Sequence, residues 1–244
     1  MEKLLDEIES YWSTRTEGYS EVNHKELAGT QKNAWLKVLT SQFPDKPKEE
    51  IRILDIGTGP GFFPVILAEA GYHVDAVDYT EGMLEKAKEN AGDLCRNIRF
   101  LRMDAQKLDF EDNTFDVVIS RNLTWNLEHP DVAYREWVRV LKVGGRLLNF
   151  DANWYGYLYD EEKRLSYEED NSLDDHYLCT DIERMERIAL QVPLSKISRP
   201  QWDVKTLREA GLLGIRTDTE IWKTVWSEEE RLNYQSTPMF MVTG

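Results

Sequence analysis

Cysteine is scarce in this chain: 244 residues carry only two, Cys95 and Cys179. Two thiols make no disulfide framework and suit a reducing, cytoplasmic setting, in which packed or surface thiols are the ordinary reading. Positive charge is also short, with 30 Lys+Arg against 45 Asp+Glu and a formal net charge of -15. Such a surface repels a phosphate backbone, and no long basic run offsets it, so nucleic acid is a poor expectation as substrate. No apolar run approaches the ~20 residues that span a bilayer, so no membrane insertion is expected. The opening residues, Met1 to Glu7, read as the start of an amphipathic helix and not as a cationic leader. There is no internal repeat and no low-complexity tract. The length fits a single domain, 1–244, with room for an insertion.

What is present is a strand, a glycine loop and a helix. The apolar run from Ile51 to Leu54 reads as a buried strand ending at Asp55. Gly57, Gly59 and Gly61 follow at alternate positions, and Phe62 to Ala70 is an apolar, helix-like run. A second strand, His73 to Val77, ends in Asp78. Glycines let a backbone turn tightly and approach a ligand, and an acid closing the next strand can hold a ribose diol. The pattern predicts a nucleoside-cofactor site at the carboxyl edge of a parallel sheet. It is not the dinucleotide fingerprint G-x-G-x-x-G, because Phe62 stands where the third glycine belongs.

Before this unit, residues 1–43 read as two helices, the first carrying Leu4, Leu5, Ile8, Tyr11 and Trp12 at helical spacing. After it, strands and helices keep alternating. Thr80 is placed to cap a helix that Gly92 stops, and Ile98 to Met103 is a third strand. Phe115 to Ser120 has the near-continuous apolar run of a buried parallel strand. Pro130 opens a helix to Leu141, and Val143 to Gly145 turns the chain into a fifth strand, Arg146 to Phe150. The alternation predicts an α/β fold with a doubly wound sheet. From Asp151 to about Pro200 the pattern breaks, in a segment too long for an ordinary connection of ~2–6 residues. It reads as an inserted cap, 152–200, after which 201–244 supplies a helix and two strands, Ile215 to Trp222 and Met239 to Thr243.

The run Ile53-Leu54-Asp55-Ile56-Gly57-Thr58-Gly59-Pro60-Gly61 resembles motif I of the class I S-adenosylmethionine (SAM)-dependent methyltransferases. The likeness runs from about Ile51 to Asp151 and lies nearest the ubiquinone/menaquinone-type methylases. It implies a mostly parallel seven-stranded Rossmann-like sheet, a SAM-binding core over 51–151, an N-terminal helical flap over 1–43, and an enzyme that methylates a small molecule and releases S-adenosylhomocysteine. It also implies roles. Asp55, Gly57, Gly59 and Gly61 match the loop beneath the methionine portion, and Asp78 matches the ribose acid. Tyr79 and Met83 flank the adenine, although the helical spacing of Met83 fits core equally well. Asp104 and Ala105 match the adenine-reading pair, and Asn122 lies where relatives approach the methyl-bearing sulfur. Tyr11-Trp12 and Tyr19-Ser20 resemble the flap, with Tyr19 divided between site and packing.

The departures matter too. Ser120-Arg121-Asn122-Leu123-Thr124-Trp125 lacks the Asn/Asp-Pro-Pro-aromatic signature of base methylases. No acid follows strand four before Glu128, so no catalytic metal is expected, even though Asp151 and Asn153 could supply half of a metal site. Asp174-Asp175-His176 reads as a solvated loop, because adjacent residues seldom converge on one ion. A general base is needed only for a protonated acceptor. The residue types that could serve are Tyr19, His24, Asp151 and His176, with Tyr19 and His176 taken forward as catalytic candidates. The cap's Trp154, Tyr155, Tyr157, Tyr159, Tyr167 and Tyr177, with its many acids, could form an aromatic, acidic mouth for a neutral or cationic acceptor. Alternatively, these rings pack the cap onto the sheet and the acids form a solvated face. An NAD(P)-dependent oxidoreductase or epimerase, a non-catalytic SAM-binding protein and a protein methylase stay open as other functions. The reacting atom and the oligomeric state are open as well.

Overall fold

A computed structural model describes residues 3–168 and 180–244 in full and the backbone of 169–171. Among the described residues, seven strands form one sheet in the order β3-β2-β1-β4-β5-β7-β6. The strands are β1 (Arg52–Ile56), β2 (His73–Asp78), β3 (Ile98–Arg102), β4 (Phe115–Arg121), β5 (Leu141–Asp151), β6 (Arg216–Asp218) and β7 (Phe240–Thr243). β1 to β5 pair in parallel, whereas β7 runs antiparallel between β5 and β6, so the sheet is mixed. The helices are α1 (Leu4–Ala28), α2 (Gln31–Gln42), α3 (Phe62–Glu69), α4 (Glu81–Ala91), α5 (Pro130–Val140), α6 (Glu161–Asn171), α7 (Ile182–Ala189), α8 (Gln201–Glu209), α9 (Trp222–Val225) and α10 (Glu228–Asn233).

Strand residues alternate between two cores, as the two-residue period of a strand demands. Ile53, Val117, Ile119, Leu148 and Phe150 face one side, where they join α2, α3 and α9 through Trp35, Leu39, Phe63, Ile66 and Val225. Leu54, Ile56, Val77, Val118 and Leu147 face the other, against Tyr134 and Trp137 of α5 and Leu207 of α8. Strand order reverses between β1 and β4, and a crevice opens outside the carboxyl ends of the strands at such a switch point. α1 lies along α4: Asn90 donates to the Ser20 hydroxyl at 3.2 Å, and a Cβ on Gly82 would meet the Thr16 hydroxyl at 3.2 Å.

Two expectations need correction. Ile215 to Trp222 is not one strand: only Arg216–Asp218 pairs, and Trp222–Val225 is a helical turn. Ile221 and Val225 are buried four residues apart against α2, so residues of strand-forming type serve a helix here. The turn at Val143 to Gly145 is an irregularity within β5, where the register to β4 shifts between Phe115 and Val117. Among the described residues of 152–200, Gly156–Tyr159, Glu161–Asn171, Ile182–Ala189 and Pro193–Ser195 are helical. In α7, Met185 and Ile188 pack on Ile8 and Tyr11 of α1 and on Trp125. Among the described residues no helix is long and apolar enough to cross a membrane.

Candidate functional site

The glycine loop follows β1 because its backbone is bent back onto β2. The amides of Gly57 and Thr58 both donate to the Val77 carbonyl, at 2.8 and 3.0 Å. Gly57 takes φ +70°, and a Cβ there would stand 2.7 Å from the Leu123 side chain, so glycine is required twice over. Gly61 has φ +89° at the start of α3, and its Cβ would meet that of Ala87 at 3.0 Å. It brings α3 against α4.

The carboxyl ends of β1, β2, β3 and β4 surround a cavity of about 1050 Å³, counted to its open mouth. Asp55, Gly57, Gly59, Asp78, Tyr79, Met83, Asp104, Ala105 and Asn122 line it; Gly61 does not. Asp78 is pinned. One carboxylate oxygen accepts from the Gly59 amide and the other from the Thr80 amide, each at 2.9 Å. Burial raises its pKa, and these amides oppose the rise. Asp104 accepts from the Gln106 amide at 2.8 Å, and the Ala105 carbonyl is fixed by the Trp137 indole at 2.9 Å. Asp55 lies at the end of β1, where burial pushes its carboxyl up to about 7 despite the opposing pull of Arg121.

α1 supplies another wall through Leu5, Ile8, Glu9, Trp12, Tyr19 and Asn23. Their spacing puts them on one face of the helix. The end of α1 is tied to the sheet by a buried fork: Arg121 donates to the two Glu26 oxygens at 2.7 and 3.0 Å. The guanidinium also lies 4.7 Å from the Phe62 ring centroid and 5.3 Å from that of Trp35. Asn122, next in line, takes a left-handed φ of 55°. The side-chain oxygens of Asn23, Asn122 and Asn126 are buried without a hydrogen-bond partner, and all three residues line the cavity. Buried polar atoms are normally satisfied, so three unused acceptors around one cavity call for a ligand that brings donors or positive charge.

The base candidates separate. Tyr19 lines the cavity. His24 is exposed and outside the lining. Asp151 is wholly buried in an ion pair with Arg199 at 2.7 Å, which removes it both as a base and as half of a metal site. His176 lies outside the described residues, as do Asp174, Asp175 and Tyr177. Trp154, Tyr155, Tyr157, Tyr159 and Tyr167 are absent from the cavity lining. Tyr157 stacks on Tyr167 at 3.8 Å and Tyr155 on Trp125 at 5.0 Å, so these rings pack their segment together. Glu161, Glu162 and Glu168 are exposed. Sequence reasoning missed Arg121, Glu26, Asn23 and Asn126. The available signal was a charged residue directly closing the apolar run of β4.

Residues 54–149 match the family model described as a methyltransferase domain. The chain is 31% identical to a demethylmenaquinone methyltransferase of Renibacterium salmoninarum over 148 residues, 61% of this chain and 60% of that protein. It is also 31% identical to a ubiquinone/menaquinone biosynthesis C-methyltransferase of Xanthomonas oryzae over 170 residues, covering 65% and 64% of the two chains. A demethylmenaquinone methyltransferase of Clavibacter sepedonicus is 41% identical, over 40% of this chain and 39% of its own. The chain thus spans less than two thirds of the length of these relatives. Among solved structures, a SAM-dependent methyltransferase from Aquifex aeolicus superposes with a TM-score of 0.54 at 23% identity, over 90% of this chain and 94% of the other. Phosphoethanolamine N-methyltransferase 2 of Haemonchus contortus, in complex with SAM, gives 0.58 at 22% identity, over 86% and 51%. Both likenesses are of fold.

Proposed function

Residues 54–149 form a class I methyltransferase domain whose cofactor is S-adenosylmethionine, and from that premise we propose that the chain moves the methyl group to a small-molecule acceptor by in-line displacement. The observation that carries this reading is the cavity itself, where a pinned acid, Asp78, shares a lining with three amide oxygens that lack partners. This set of acceptors fits the cofactor. Asp78 would hold the ribose diol, Asp104 the adenine amino group, and the unused oxygens of Asn23, Asn122 and Asn126 the positively charged methionine end.

When bound, the cofactor supplies a methyl group activated by a positive sulfur. The chain's own task is alignment and exclusion of water. Leu5, Ile8 and Trp12 of α1 line the cavity, which supports a role for this helix as a flap. Well-oriented pairs gain ~7–11 kcal/mol from positioning, so few chemical groups are required. Of the base candidates read from the sequence, Tyr19 is the one that lines the cavity, and it is proposed to take a proton from an acceptor that carries one. The strong negative charge of the chain and the missing base-methylase signature favour a small molecule over nucleic acid. Relatives named for demethylmenaquinone, and for C-methylation, make a quinol ring carbon the first acceptor to try.

The test is S-adenosylhomocysteine formation from methyl-labelled SAM with a demethylmenaquinol, a phenol and a primary amine. Label in one product class supports the reading and names the reacting atom. Tight cofactor binding with no turnover across a broad panel would favour a SAM-binding protein without catalysis.

A further inference from the structure

Arg199, Asp151 and Asp203 form a charged cluster whose side chains are all 0% exposed. Arg199 donates to Asp151 at 2.7 Å and to the two Asp203 oxygens at 3.0 and 2.6 Å. From this cluster two hydrogen-bond routes reach the loop after β4. In one, the Asp151 oxygen that binds Arg199 also accepts the Trp125 backbone amide, at 3.0 Å. In the other, Asp203 accepts from the Tyr134 hydroxyl, which accepts from Asn149 at 2.8 Å, whose amide oxygen accepts from Thr124 at 3.0 Å. The Trp125 indole N–H then donates to the Asn122 carbonyl at 3.0 Å. This bond and that from the Asn122 amide to the Phe150 carbonyl, at 2.8 Å, hold Asn122 in a left-handed conformation, with the residue lining the cavity.

We infer that Arg199 is a positioning residue, which acts through Asp151 and Trp125 to present Asn122 to the cavity ligand. Apolar side chains fill a core at least as stably as a buried ion cluster does. A cluster whose hydrogen bonds end on Thr124 and Trp125, in the turn that follows Asn122, has a geometric task that apolar packing could not perform. The inference rests on the proposed SAM site only for its binding readout.

The experiment is a double-mutant cycle on the full chain, with S-adenosylhomocysteine as the calorimetric probe and thermal melts to verify folding. Asn122→Ala and Arg199→Lys are each expected to raise the dissociation constant roughly tenfold, about the net worth of one hydrogen bond. The double variant should bind no more weakly than the weaker single variant. Multiplied effects, or wild-type affinity in Arg199→Lys, would overturn the inference. In the ligand-free protein, the Trp125 indole N–H resonance, assigned with Trp125→Phe, should move in Arg199→Lys; an unmoved signal also overturns it. Should Arg199→Lys not fold, Trp125→Phe replaces it in the cycle, with the same expectations. If the wild type binds no S-adenosylhomocysteine, the methyltransferase reading fails by itself, and the indole signal still decides the positioning role.

Discussion

Replacing Asp55 by Asn should stabilise the ligand-free protein at neutral pH, contrary to the usual result of altering a buried motif residue. Asp55 is 2% exposed, and its carboxyl is raised from 3.8 to about 7, chiefly by burial. A carboxyl raised on folding binds more protons in the native state than in the unfolded state, so its stabilising contribution is present at low pH and lost as pH rises through 7. With 1.36 kcal/mol per pKa unit, a rise of about three units corresponds to roughly 4 kcal/mol in all. Roughly 2–3 kcal/mol of that falls between pH 5 and 8. Urea titrations of both proteins across that range read the group by difference, because titrations of groups remote from Asp55 cancel, while the neighbouring Asp78 contributes a smaller coupled change. The expected result is a wild type that weakens relative to Asp55→Asn by roughly 2–3 kcal/mol from pH 5 to 8. An Asn variant less stable than wild type at pH 8, or a difference that does not vary with pH, would refute the reasoning. A cationic ligand should reverse the sign by favouring the carboxylate. Binding near pH 6.5 should therefore release a proton, visible as a dependence of binding heat on buffer.

Glu26→Ala leaves the Arg121 guanidinium over its aromatic rings without a carboxylate, and should cost about 3 kcal/mol in urea titration. A cost below about 1 kcal/mol would place the pair in solvent-screened surroundings. Gly61→Ala and Gly57→Ala should differ in kind. The first meets Ala87 and should cost roughly 1–3 kcal/mol of stability with little change in ligand affinity. The second drives into Leu123 at the cavity wall, so it should weaken S-adenosylhomocysteine binding as well. Melts and calorimetry on the same samples separate the two.

The half of the site made by strand ends was legible because a parallel sheet does the assembly. Asp55, Asp78, Asp104 and Asn122 each close or follow an apolar run, and sheet order alone carries those ends to one edge. The face contributed by α1 was not legible. Asn23 and Glu26 are polar residues on a long helix and read as solvent-facing, yet both are buried. The reason lies 95 positions away, in the Arg121 partner of Glu26, and no periodicity encodes that pairing. Asp151 misled for the same cause. It ends a strand as Asp78 does, but Arg199, 48 positions later, neutralises it inside the core. The aromatic residues of 152–200 suggested a mouth because composition records ring content and not ring partners.

Calorimetry of the purified protein with S-adenosylhomocysteine, SAM and NAD, repeated with Asp78→Ala, decides whether Asp78 closes a SAM site. The two adenosyl-sulfur compounds should bind and NAD should not, and a variant that still folds should lose binding by at least about a hundredfold. A folded wild type that binds neither compound, or a variant that binds as tightly as wild type, would contradict that assignment.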